Sequence, residues 1–63
     1  MKKLEWKLIT KKHRAIGEHI YTIEPWGGCF MLVVRATNGA LLIEYTFTKL
    51  KSAMRVAELM ENG

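Results

Sequence analysis

Few side chains in this sequence are able to do chemistry. There is no Asp, one serine (Ser52), one cysteine (Cys29) and two histidines (His13 and His19), so a Ser-His-Asp triad cannot be assembled within the chain. Cys29 with either histidine is the one nucleophile-and-base pair that composition allows. Cys29, however, opens the apolar run Cys29 to Val34, where a lone cysteine behaves as a small buried hydrophobe. The same three residues are the ones a soft metal would need, and no Cys-x-x-Cys or paired-His spacing joins them into a ligand set. The expectation is a protein that is not an enzyme, with no catalytic residue, metal or cofactor.

Charge offers more. Residues 1 to 14 hold six bases (Lys2, Lys3, Lys7, Lys11, Lys12, Arg14) against one acid (Glu5), a net of +5. The remaining four bases and five acids give −1, so the whole formal +4 sits in the amino-terminal quarter. Lys and Arg on phosphates release counterions and bind without reading sequence, which makes Lys7, Lys11, Lys12 and Arg14 candidate nucleic-acid contacts; the alternative is a solvated first strand. Lys49 and Lys51 open the expected helix, the end where the macrodipole is already positive. They either tolerate that position in water or converge with free backbone NH groups on a phosphate or carboxylate, and they join the nucleic-acid candidates.

Tryptophan is the third resource. Trp6 alternates with Leu4 and Leu8 in a half-buried first strand, which predicts burial against the helix, with a stacking platform as the other outcome. Trp26 lies in the turn Pro25-Trp26-Gly27-Gly28. There an indole either folds back as a lid on the core or protrudes as an anchor for a base or a protein.

The elements that hold these residues belong to a very short chain. Sixty-three residues, 49% of them hydrophobic, make a single domain spanning 1-63 that buries only about 60% of its unfolded surface. With one cysteine there is no disulfide framework, so further stability is expected from oligomerisation or a bound partner. Asn38-Gly39 predicts a two-residue type I′ hairpin turn. Residues whose numbers sum to 77 then face each other: Val34 with Ile43, Leu32 with Tyr45 and Phe30 with Phe47 form the core face. Tyr21 and Ile23 join that face across the Gly-Gly turn, while Lys11 to Glu18 reads as a basic loop, either throughout or with a short extended piece at Arg14 to Ile16. After Thr48, the expected N-cap, the spacing of Leu50, Ala53, Met54, Ala57 and Met60 is that of one helical face. The fold class is α+β: a three- to four-stranded antiparallel meander (about 4-10, 19-25, 29-37 and 40-48) with one C-terminal helix (49-61) packed on one face.

One helix cannot cover both sides of a sheet. Ile9, Ile20, Met31, Val33 and Leu42 take outward parity, an apolar patch bordered by Lys7, Arg35, Glu24 and Glu44. Such patches mark interfaces, unless the amino-terminal segment wraps over this one. Ile20, Trp26, Met31, Val33, Arg35 and Leu42 are therefore the candidate protein-interface residues, and a homodimer stacking two such faces is expected.

Trp6, Tyr21-x-Ile23, the Gly-Gly turn, Phe30-x-Leu32, the hairpin and Thr48-x-Leu50-x-x-Ala53-x-x-x-Ala57-Glu58 together resemble small phage and prophage proteins. In outline the fold is also similar to phage integrase arm-binding domains and to the plant ethylene-response DNA-binding domain. That resemblance implies an open sheet face set into the major groove by arginines and tryptophans. Here the bases on the equivalent face are Lys7 and Arg35, with Met31, Val33 and Leu42 between them. The resulting expectation is a small non-catalytic binding protein of phage or mobile-element origin, contacting nucleic acid or a nucleic-acid-handling complex through its basic amino-terminal segment. The alternative is an inhibitor or adaptor of a host protein, acting through the open face and Trp26. The longest uncharged apolar run is six residues, against roughly 20 needed to span a bilayer, so no membrane partner and a cytoplasmic location are expected.

Overall fold

A computed structural model of the chain describes residues 3–63; Lys2, counted above among the amino-terminal bases, lies outside them. Five strands precede one helix: β1 (Lys7–Ile9), β2 (Lys12–Ile16), β3 (Ile20–Trp26), β4 (Cys29–Arg35), β5 (Leu41–Phe47) and α1 (Leu50–Asn62). The strands pair antiparallel in the order β1-β2-β3-β4-β5, an α+β meander with the helix across one face. The helix packs on β3, β4 and β5 and does not reach the β1–β2 hairpin.

Register follows from the turns. Gly27 and Gly28 have φ of 55° and 81°, the left-handed backbone that a two-residue hairpin turn requires. They set Trp26 against Cys29, Ile23 against Leu32 and Tyr21 against Val34, the parity expected from the sequence. The β4–β5 hairpin reaches its expected pairing by another route. Asn38 does not have the positive φ of a type I′ turn. Instead Ala36 and Ala40 close a loop, with the Ala36 NH donating to the Ala40 carbonyl (2.8 Å) and the Gly39 NH to the Ala36 carbonyl (2.9 Å). The Asn38 Oδ1 accepts from the Ala40 NH at 2.9 Å. That loop is one residue longer than a two-residue turn, so Arg35 faces Leu41 instead of Leu42. A bulge between Val34 and Arg35 then restores Val34 to Ile43, Leu32 to Tyr45 and Phe30 to Phe47.

The amino-terminal hairpin departs furthest from the sequence reading. Lys12 to Ile16 is strand β2 and not a loop, which makes the sheet five-stranded. The type I′ backbone expected at Asn38-Gly39 occurs at Thr10 (φ 46°) and Lys11 (φ 66°), between Ile9 and its partner Lys12. Neither residue favours that region, so no turn signal stood there.

The core is Tyr21, Ile23, Leu32 and Val34 on the sheet against Ala53 and Ala57 on the helix, with Leu4, Trp6, Phe30, Ile43, Phe47, Leu50, Met54 and Met60 packed around it. Two alanines at the contact let the helix axis lie close to the strands. Trp6 is half-buried against this core, as its parity predicts. Leu8 and Tyr45 share the face but stay 66% and 52% exposed, because each sits on an edge strand at the margin of what one helix covers. Lys49, not Thr48, occupies the N-cap, without a side-chain cap hydrogen bond; at the other end Gly63 caps through its NH to the Leu59 carbonyl at 2.8 Å. Among the described residues no helix is long and apolar enough to cross a membrane.

Candidate nucleic-acid interface

The face of the sheet opposite the helix is built from three rows of cross-strand neighbours. Across the middle row run Lys7, Arg14, Thr22, Val33 and Glu44. Toward the Gly-Gly turn lie Ile9, Lys12, Glu24, Met31 and Thr46; toward the other end lie Ile16, Ile20, Arg35 and Leu41. Trp26 and Cys29 close the face at the turn. Bases therefore gather on β1 and β2, and Glu44 stands on the far edge strand.

Lys12 is neutralised by Glu24, Nζ to Oε2 at 3.1 Å. Lys7 and Arg14 are directly opposite each other, and neither has an ion-pair partner among the described residues. Like charges at facing positions of a sheet repel, so this pair is an electrostatic cost; among the described residues the carboxylate of Glu5 shares their groove without forming an ion pair with either. Arg14 borders two shallow grooves. One, of about 440 Å³, is lined by Lys12, Arg14 and Arg35 with Ile9, Ile20 and Thr22; the other, of about 370 Å³, by Lys7 and Arg14 with Glu5, Ile9 and Ile16. Arg35 donates from Nη1 to the Gly39 carbonyl at 3.1 Å, which fixes its stem and leaves other guanidinium donors facing solvent.

The six expected nucleic-acid residues are thus divided. Lys7, Lys12 and Arg14 share the open face, Lys11 stands exposed at the hairpin tip, and Lys49 and Lys51 begin a helix on the opposite layer. Lys49 and Lys51 do not belong to the same surface as the others. Arg35, expected from the sequence as an interface residue, joins the cationic groove. Ile16, at the end of the short extended piece allowed within the expected loop, is an exposed strand residue lining the second groove; its alternation with Arg14 and Lys12 extends that piece to a full strand.

Ile9, Ile20, Met31 and Val33 lie on this face as parity predicts, whereas Leu41 takes the place expected for Leu42, which the bulge leaves without a partner across the strands; the exposure of these residues was not foreseen. Val33 is only 8% exposed, lying between Thr22 and Glu44 in its row and between Met31 and Arg35 along its strand. Ile20 and Met31 are half-buried. The centre is therefore a nearly closed floor, and apolar exposure lies at the rim, in Ile9, Ile16, Leu41, Leu42 and Trp26. Trp26 protrudes, at 67% exposure, and is not a lid.

The residues that composition offered for catalysis do not converge. Cys29 is at the Gly-Gly turn on the open face, His13 is opposite Ile23 on the helix side, and His19 precedes β3, roughly 23 Å along the strand from Cys29. Among the described residues no three His, Cys, Asp or Glu side chains are grouped to hold a metal. The buried titratable group is Tyr21, whose hydroxyl donates to Glu61 Oε1 at 2.8 Å. Burial, then that hydrogen bond and the negative charge of Glu61 and Glu18, raise its pKa above the ordinary phenol value.

Comparison of the chain with protein-family models, with curated proteins and with solved structures gave no match.

Proposed function

We propose that this chain is a small non-catalytic binding module that contacts nucleic acid through the open face of its sheet. The observation that carries this reading is the facing pair Lys7 and Arg14, set opposite each other with no ion-pair partner among the described residues. A phosphate placed over Arg14 relieves that repulsion and lies within reach of Arg35 across the groove. Lys11 extends the same field at the hairpin tip. Origin in a phage or mobile element belongs to the same proposal and rests on the resemblance of packing residues alone.

Binding of a labelled oligonucleotide, followed by anisotropy over roughly 50 to 200 mM salt, tests the reading. Affinity is expected to fall steeply with salt, and Arg14→Gln with Arg35→Gln is expected to flatten the logarithmic slope by about 1.5, roughly 0.7 to 0.9 for each of two phosphates no longer neutralised. A slope unchanged in the double variant removes these residues from the interface.

The exposed indole of Trp26 and the rim residue Leu42 favour a second reading, a host-protein adaptor. An apolar interface of that kind responds little to salt.

A further inference from the structure

We infer that the nucleic acid taken by this face is single-stranded, with an unpaired base stacked on Trp26. The inference rests on the nucleic-acid reading above and specifies its ligand.

Trp26 is the last residue of β3 and lies opposite Cys29, which gives it the parity of Ile20, Thr22 and Glu24 and sets it on the open face with the cationic groove. Its indole is 67% exposed. Beyond it stand two glycines, and nothing lies within 4 Å of where a side chain would begin on either, so the turn adds no side chain beside the indole. The neighbouring hairpin brings cations to the same end: Lys12 is paired to Glu24, two residues before Trp26, and Lys11 is one residue further toward the turn. From Trp26 to the row of Ile20 and Arg35 the face extends roughly 20 Å. A strand laid along it passes Lys11, Arg14 and Arg35 in turn.

The chemistry of the face disfavours a duplex. In the interior of a duplex both π faces of each base are already stacked, so an exposed indole has no partner there unless a base is extruded. Side chains that read groove edges are Arg on guanine and Asn or Gln on adenine, and on this face Arg14 and Arg35 are the residues of that kind, so the case for a single strand rests on Trp26. The chain has no Gln, and its two asparagines, Asn38 and Asn62, lie in a loop and at the helix end. What the face offers is a floor of Val33, Met31 and Ile20, arginines for phosphates and one free aromatic plane. Stacking platforms beside basic grooves take single strands with little sequence preference.

The test uses oligo-dT, oligo-rU and a mixed-sequence duplex of equal length. Single strands of either sugar are expected to bind more tightly than the duplex and to quench Trp26, read in a Trp6→Phe background that leaves it the sole tryptophan. Trp26→Ala is expected to weaken single-strand binding by roughly 5- to 100-fold, and Trp26→Phe to recover most of the loss. Anisotropy of a labelled oligonucleotide gives the same comparison in the otherwise native chain, so a poorly folding Trp6→Phe protein does not decide the matter. A duplex bound as tightly as dT and rU, or a Trp26→Ala protein that binds like the parent, overturns the inference and leaves the nucleic-acid reading standing. Failure of all three probes to bind overturns both.

Discussion

Glu61 ties the end of the helix to the turn between β2 and β3. Its carboxylate accepts from the Glu18 NH at 2.9 and 3.1 Å and from the Tyr21 hydroxyl at 2.8 Å. Gly17 makes the approach possible, because a Cβ there would fall on the carboxylate itself. The raised pKa of Tyr21 makes this contact a source of pH dependence. In the unfolded chain the phenol loses its proton as pH passes its ordinary value of 10.0, whereas the folded chain retains it. The unfolded state then binds fewer protons, so stability falls as pH rises above that value. Tyr21→Phe removes the phenol and is expected to remove this part of the alkaline loss, at the cost of one hydrogen bond at neutral pH. Denaturant midpoints of both proteins below and above pH 10.0 check it; equal alkaline losses contradict it. None of this was legible in the sequence, since Glu18 and Glu61 are 43 residues apart and no local pattern joins them.

Among the elements, alternation and turn chemistry were enough wherever both were present. The Gly-Gly turn and the run Phe30 to Val34 gave β3, β4 and their facing residues. β5 was equally legible in its core pairing, although a longer loop and a bulge replaced the expected two-residue turn. The helix followed from its apolar spacing, while its N-cap did not, because Thr48 precedes a helix start that uses no side-chain cap. The β1–β2 hairpin was missed for a physical reason: His13 and Ala15 make a weak inward face, and Thr10 and Lys11 carry positive φ against their own preferences. A β-branched residue in that region is strained, and Asn-Gly is the pair that fits it best. Thr10→Asn with Lys11→Gly is therefore expected to stabilise the chain by roughly 1 kcal/mol, the combined relief of two unfavourable backbone positions. Thermal melting measures it. An unchanged or lower midpoint shows that the turn is not strained in the manner described. The same protein lacks the Lys11 charge, so its oligonucleotide binding is expected to weaken slightly while its fold tightens.

For the whole molecule the occupants proposed for the open face are a polyanion or a protein, a second copy of the chain included, and burial decides how each must bind. Stacking two copies was expected from Met31, Val33 and Leu42, yet Val33 is already 8% exposed within one chain and has little area left to offer. Any self-association through this face, which remains a proposal, rests on the rim, where Ile16, Leu41 and Leu42 are about half-exposed or more, and it would cover the groove of Arg14 and Arg35. The two residue classes then separate in experiment. Val33→Lys places an ammonium between Thr22 and Glu44 where a valine is nearly enclosed, and the lost apolar burial of about 1.5–3 kcal/mol together with overpacking is a large fraction of what so small a domain has in reserve. It is expected to unfold much of the population, seen as loss of the helical circular-dichroism signal, and not to release a stable monomer. Leu42→Lys changes a rim residue at the bulge and is expected to keep the helix signal. A parent that sediments as a dimer, with Leu42→Lys as a monomer, assigns self-association to the open face. In that case added oligonucleotide is expected to dissociate the parent dimer, because both occupants need the same surface. Equal sedimentation of parent and Leu42→Lys removes self-association from this rim, and a folded Val33→Lys protein would show that the centre of the face is less closed than its burial requires.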